Sequence, residues 1–200
     1  IGYAIAAGFA AAGARVVVID VADRRGKPPG TDYLQADVGD EKQIAKASDR
    51  ICKKYGQVDI LVNNAGIAEF DLSLNLSRKK WDQILRVNLT GTFNCSQAFG
   101  RHMAARRYGR IINLASRCGF VGLPFHPAYN ASKAGIVSLT QTLAVECGSF
   151  NINVNAIVPG FVRTAMNVKD LADADATAVY ATKIPLGRIS EPADLVGTAI

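Results

Sequence analysis

Val58-Asp-Ile-Leu-Val-Asn-Asn-Ala-Gly66, written VDILVNNAG, is the stretch on which the reading of the fold turns. Its first half, VDILV (58–62), is a short, nearly continuous apolar run. A run of that length and composition reads as a strand buried on both faces. It breaks into two amides, an alanine and a glycine. Side-chain amides supply donors and acceptors, and glycine relaxes the backbone. A strand that ends this way can hold a turn and line a groove. Taken alone, NNAG reads equally as a plain turn, so the other strand ends have to decide.

Working outward, the segments alternate. Upstream, residues 1–13 are Ala-rich and read as a helix closing near Gly13. ARVVVID (14–20) and DYLQADV (32–38) read as strands on either side of a surface turn, RRGKPPG (24–30). Asp40 is placed to cap a helix that turns Ile44, Ala47, Ile51 and Tyr55 inward. Downstream, residues 78–107 hold one or two helices carrying Trp81, Ile84, Leu85, Leu89, Phe93, Phe99 and Met103. GRIINLAS (109–116) is a strand, 127–148 a helix and NINVNAIV (151–158) a strand. Residues 160–190 read as irregular, and EPADLVGTAI (191–200) as a last helix with Pro192 in its first turn. Alternation of this kind, with apolar strands, predicts an α/β protein: a doubly wound parallel sheet between two helical layers. No repeat, linker or low-complexity segment divides the 200 residues, so one domain is expected over 1–200.

Bulk composition narrows the function. With 49% hydrophobic and 20% charged residues the chain reads as soluble and globular. No apolar run reaches the roughly 18 residues of a membrane span. The apolar opening is broken by Gly and Arg15 and lacks the basic start of a signal peptide. Cys52, Cys95, Cys118 and Cys147 are far apart, without a C-x-x-C pair, which argues against zinc or a disulfide framework and for a reducing cytoplasm. No metal is expected. A net charge of +6 is mildly basic, and its densest cluster, Arg101, Arg106, Arg107 and Arg110, lacks the interleaved aromatics that nucleic acid would require.

In a doubly wound sheet the ligand lies beyond the carboxyl ends of the strands. Asp20 ends the first strand here, where a carboxylate can accept both ribose hydroxyls of NAD and repel the extra phosphate of NADP. An ordinary turn Asp is the alternative, and Arg24 and Arg25 follow closely enough to bind a phosphate. Asp37-Val38 can meet an adenine edge. Asn64, Ala65 and Gly66 line the next position, Ser116 the next, and Pro159-Gly160-Phe161-Val162-Arg163-Thr164 form a rigid turn after the last. AYNASKAG (128–135) adds Tyr129 and Lys133, one helical turn apart on one face, among small residues that admit close neighbours.

NNAG, Ser116, YNASK and PGFVRT in this order and spacing resemble the short-chain dehydrogenase/reductases, whose sheet is of the Rossmann type. The resemblance runs along the whole chain. Its most specific part is Ser116, thirteen residues before Tyr129, together with Tyr129-x-x-x-Lys133. It implies that Tyr129 is the general acid/base for interconverting a secondary alcohol and a ketone. Lys133 would lower the phenol pKa and bind the nicotinamide ribose, and Ser116 would stabilise the substrate oxygen. Asn88, in RVNLTGTF, would join a water-linked proton relay behind the lysine; a polar residue in a helix kink is the alternative. Gly2, Asp20, Asp37, Val38, Asn64, Ala65, Gly66, Pro159, Gly160, Val162 and Thr164 would line the dinucleotide with Tyr129 and Lys133. NAD is preferred over NADP on Asp20. A homotetramer built on the two long helices is also implied.

The resemblance has limits. Ile1-Gly2 looks like the end of the family's Gly-rich loop, so a fragment lacking the first and last strands is expected. Variable segments at 68–76, 117–128 and 163–190 would choose the substrate. RCGFVGLPFHPA is mostly apolar, which suggests a moderately apolar ketone or alcohol, and His126 reads as a loop residue. A 3-oxoacyl-carrier-protein reductase using NADPH is the alternative, with Arg106-Arg107 attracting the acidic carrier, although Phe150 stands where a second basic residue would help. Sugar or polyol oxidation fits NAD equally. A non-catalytic dinucleotide-binding protein is disfavoured by the filled catalytic positions, and a nucleotide-sugar epimerase by NNAG and the compact length.

Overall fold

The computed structural model describes residues 1–22, 26–168, 171 and 174–200. Arg24 and Arg25, the phosphate-binding candidates, lie outside the described residues, as do four positions of the third variable segment.

The described residues form five strands set among helices. They are β1 (Val17–Asp20), β2 (Asp32–Gln35), β3 (Ile60–Asn63), β4 (Gly109–Leu114) and β5 (Ile152–Ile157). The strands pair in two hydrogen-bonded sets, β1 with β2 and β3–β4–β5, every pair parallel. The first two strands are shorter than the sequence suggests, for local reasons. The Ala14 amide bonds back to Phe9 at 3.0 Å and belongs to the turn that closes α1 (Gly2–Ala11). At the other end, Asp37 takes the Gly39 amide at 2.8 Å and bends the chain after Gln35.

The helices follow from caps and stripes. In α2 (Glu41–Tyr55) the Asp40 carboxylate accepts the Gln43 amide at 3.1 Å, and Gly56, at φ 84°, ends the helix. Ile44, Ala47 and Ile51 are buried as expected. Ser77 caps α3 (Arg78–Leu85). A five-residue π-turn, Arg86–Thr90, joins it without a break to α4 (Gly91–Arg106). The long helix α5 (Pro127–Gly148) has Pro127 in its first turn. The segment read as irregular contains α6 (Ala174–Thr182), an Ala-rich helix with no apolar stripe to betray it. The last predicted helix is divided into a 3₁₀ turn (Pro192–Leu195) and α7 (Val196–Ala199).

Two helical layers enclose the sheet. On one face, Ile5 and Phe9 of α1 and Ala199 of α7 pack on Leu114, Ile157, Val62 and Ile112. On the other, Ile44, Ile51, Cys95 and Phe99 of α2 and α4 meet Val17, Ile19, Leu34 and Leu61. Met103 and the α5 side chains Leu143 and Ala144 cover Ile111, Ile152 and Val154. Because every pair is parallel, Asp20 and Asp37 emerge together after β1 and β2, and Asn64, Ser116 and Pro159 together after β3, β4 and β5. Arg106, Arg107 and Arg110 sit at the opposite edge, where β3 and β4 begin. Arg106 donates to Asp59 at 3.0 Å, and Arg107 to the Ser149 carbonyl at 2.6 Å. The expected attraction of a carrier by Arg106-Arg107 therefore does not act at the carboxyl edge, because both guanidiniums tie the amino ends of the strands together.

Candidate active site

Small residues set α5 where its polar face is useful. Gly119, in a 3₁₀ turn after β4, lies so close to the helix that a Cβ would come within 2.9 Å of the Lys133 carbonyl oxygen. Gly135 packs in the same way on Leu89. These approaches bury Ser132 and Lys133 and bring Tyr129 beside Ser116 at the end of β4. Lys133 Nζ donates to the Leu114 carbonyl at 2.6 Å and stands 5.5 Å from the centroid of the Tyr129 ring. The Ser116 Oγ accepts the Cys118 amide at 3.1 Å, which leaves its own proton to give.

Burial governs the ionisation of this group. It pushes the Tyr129 phenol above its ordinary value, while a hydrogen bond with Ser116 pulls the other way. Burial also lowers the Lys133 ammonium from 10.5 to about 8, with the nearby Cys118 thiol opposing. The expectation that Lys133 lowers the phenol is thus not met here. The ammonium is held on a main-chain carbonyl, and loss of water around the phenol dominates.

Asn88 occupies the π-turn and is fully buried. Its Nδ2 donates to the Ile67 carbonyl and to Ser132 Oγ, both at 3.0 Å, and its Oδ1 accepts the Ile67 amide at 2.8 Å. Both amide hydrogens are committed to protein partners. Asn88 therefore pins the segment after NNAG to α5, one residue from Lys133. A Cβ on Gly66 would lie 3.5 Å from Asn88 Oδ1, so that glycine belongs to the same junction.

The cofactor candidates divide into two kinds. Gly2 opens α1 against Asn64, where a Cβ would fall 2.4 Å from the amide nitrogen. Asp20 is exposed, and one of its oxygens accepts the Ala22 amide at 2.9 Å. Pro159 is buried, with its carbonyl on the Arg117 amide at 3.1 Å, and Gly160 is exposed beside it. Asn167 closes the turn from Val162 to Thr164, accepting the Thr164 amide and donating to the Val162 carbonyl, each at 2.9 Å. By contrast, both Asp37 oxygens are occupied, one by Gly39 and the other by Arg86 Nη1 at 2.8 Å. Val38 packs on Gly91, and its carbonyl accepts Asn94 at 2.9 Å. Val38 thus braces α4, and Asp37 ties the end of β2 to the π-turn through Arg86.

Several residues at the site escaped the sequence reading. Asn63 donates to Asn113 at 2.8 Å and to Ser96 at 3.0 Å, and Asn113 donates to Thr140 at 2.9 Å. This buried chain crosses from β3 through β4 to α5. Asn113 is a single polar residue inside an apolar run, Ser96 and Thr140 lie in mixed helical stretches, and only Asn63, within NNAG, gave a signal. Two variable loops also meet: the Asp71 amide donates to the Phe125 carbonyl at 2.9 Å. Among the described residues no group of three or more His, Cys, Asp or Glu is placed to hold a metal ion, and no helix is long and apolar enough to cross a membrane.

A family model described as short chain dehydrogenase matches residues 1–175. The chain is 37% identical over 196 residues to 3-oxoacyl-[acyl-carrier-protein] reductase of Thermotoga maritima, covering 94% of this chain and 79% of the relative. It is 37% identical over 206 residues to NAD-dependent glycerol dehydrogenase of Listeria innocua, covering 100% and 81%. Among solved structures, a gluconate 5-dehydrogenase from Burkholderia cenocepacia in complex with NADP and tartrate matches with a TM-score of 0.92 at 32% identity, covering 99% of this chain and 81% of that one.

Proposed function

The chain belongs to the short-chain dehydrogenase family, an NAD(P)-dependent oxidoreductase family, and from that premise we propose that it interconverts a secondary alcohol and a ketone with Tyr129 as general acid/base. One observation carries the reading: Ser116, Tyr129 and Lys133 converge at the carboxyl end of β4, with Lys133 Nζ 5.5 Å from the phenol ring.

The residues fit a dinucleotide. Lys133 is 5% exposed, yet among the described residues its three-proton ammonium meets one acceptor, the Leu114 carbonyl. Unmet donors at such depth are costly, and ribose hydroxyls beside Tyr129 would satisfy them. Gly2, Asp20, Asn64, Ala65, Gly66, Pro159, Gly160, Val162 and Thr164 line the same edge and would hold the rest of the cofactor. When bound, NAD(P) supplies or accepts the hydride.

The chain's own residues manage the proton and the charge. Ser116 donates to the substrate oxygen and stabilises charge that builds there. Tyr129 gives its proton to that oxygen in reduction and takes it back in oxidation. With its ammonium lowered by burial to about 8, Lys133 is still mainly cationic at neutral pH and is placed to bind the nicotinamide ribose. Asn88 holds α5 in register for both. Asp20, exposed at the end of β1, favours NAD over NADP by repulsion. Residues 1–200 act as one NAD(P)-binding domain. The free cysteines suit a cytoplasmic setting. Exposed Phe93 and Val145 on α4 and α5 suit burial in a homotetramer.

The test follows NADH and NADPH absorbance with ketones, 3-oxoacyl thioesters and polyols, beside Tyr129→Phe. NADH-linked turnover that falls at least ~10²-fold in the variant is expected. NADPH preference with 3-oxoacyl thioesters would replace the NAD reading with a carrier-protein reductase. Firm cofactor binding with no turnover of any class would leave a binding protein and refute the enzyme.

A further inference from the structure

His126 sits in the loop before α5 and is fixed from several sides. Phe125, just before it, takes a left-handed conformation at φ 66°, which costs an aromatic residue energy and needs surrounding support. That support is visible. The Phe125 carbonyl accepts the Asp71 amide at 2.9 Å, and the Leu123 carbonyl accepts Asn130 Nδ2 at 2.9 Å. The Phe70 ring meets the His126 ring edge-on with centroids 4.5 Å apart. His126 is the N-cap residue of α5, but its side chain caps nothing. Its ring lies 6.2 Å from that of Tyr129.

The hydrogen bond of this ring decides its chemistry. Nδ1 is 2.7 Å from the Pro124 carbonyl oxygen. A carbonyl only accepts, so Nδ1 carries the proton, and in the neutral ring Nε2 is left as a bare acceptor. Among the described residues Nε2 has no hydrogen-bond partner. A strained and doubly clasped loop thus holds one oriented acceptor beside the group that handles the reacting oxygen.

We propose that His126 determines specificity, its Nε2 accepting a hydrogen bond from a hydroxyl on the carbon next to the reacting one, so that the enzyme selects vicinal diols and their α-hydroxy ketones. The assignment rests on the oxidoreductase reading above. The neighbouring apolar rings, Phe70 and Phe125, suit the carbon skeleton of a short substrate, while Nε2 rewards the second hydroxyl.

The experiment compares kcat/KM for 3-hydroxybutan-2-one and for butanone in the unaltered protein, in His126→Phe and in His126→Gln. Phenylalanine keeps a ring against Phe70 without the acceptor, and glutamine restores an acceptor without the ring. In the unaltered protein the hydroxy ketone is favoured roughly 2- to 10-fold, as one hydrogen bond to a half-buried acceptor allows. That ratio collapses toward one in His126→Phe and recovers in part in His126→Gln. A ratio unchanged in His126→Phe overturns the assignment while leaving the oxidoreductase reading intact. Failure of the unaltered protein to reduce any ketone with either cofactor overturns the oxidoreductase reading and this assignment with it.

Discussion

Replacing Lys133 by methionine should stabilise the fold at neutral pH and abolish turnover. The side chain is 5% exposed, and burial lowers its pKa from 10.5 to about 8. At about 1.4 kcal/mol per pH unit, keeping the ammonium charged in the folded state costs on the order of 3 kcal/mol. The folded pKa lies below the unfolded one, so between about 8 and 10.5 the unfolded chain binds more protons, and stability rises with pH across that window. Below it the cost is felt in full. Methionine keeps the length and removes the charge, but it also loses the 2.6 Å bond to the Leu114 carbonyl, worth about 1 kcal/mol. The variant should therefore be more stable by about 2 kcal/mol at pH 7. At pH 10 most of the charge cost has gone, and the advantage should vanish or reverse. Urea unfolding of both proteins at the two pH values reads the swing, about 2.5 kcal/mol, and groups common to both proteins cancel. A stability difference that is the same at pH 7 and pH 10 would refute the reasoning, since no desolvated ammonium would then be present to relieve.

Two further substitutions probe the frame around the lysine and the cofactor edge. Asn88→Ala strips the Ile67 amide and carbonyl of buried partners and should cost about 3 kcal/mol in urea unfolding, with kcat falling as α5 loosens. Asp20→Ser removes the exposed carboxylate after β1 and should raise the NADPH-to-NADH ratio of kcat/KM roughly tenfold, by loss of charge repulsion. A ratio that stays put would show that Asp20 serves the turn through Ala22 alone.

The class of fold and much of the candidate site were legible because they depend on local pattern. Apolar runs such as VDILV and RIINLA read as strands, and parallel strands send their ends to one edge whatever the details. Asp37 shows where such reading stops. Its carboxylate is tied by Arg86 from 49 residues away, and no local signal announces a partner so distant. The buried chain from Asn63 through Asn113 to Thr140 was hidden for the same reason. His126 read as a loop residue because its neighbour Phe70 comes from a different loop. Helix α6 was lost to the opposite problem, since its alanines favour helix strongly yet draw no apolar stripe.

The π-turn at Arg86–Thr90 makes one long helical run sensitive to counting as well as to chemistry. Each residue of an α-helix advances the side chains by about 100°, so the surplus residue of the turn throws α4 out of phase with α3. The two halves can then answer to different partners: Ile84 is buried in α3, while Cys95, Phe99 and Met103 share a stripe in α4. Deleting a single residue from this turn would regularise the hydrogen bonding and look harmless by composition. It would swing one apolar stripe toward water and carry Asn88 away from Ser132. Across this region, length should be more stringently fixed than residue type, the reverse of what is expected for the loops beside the candidate site.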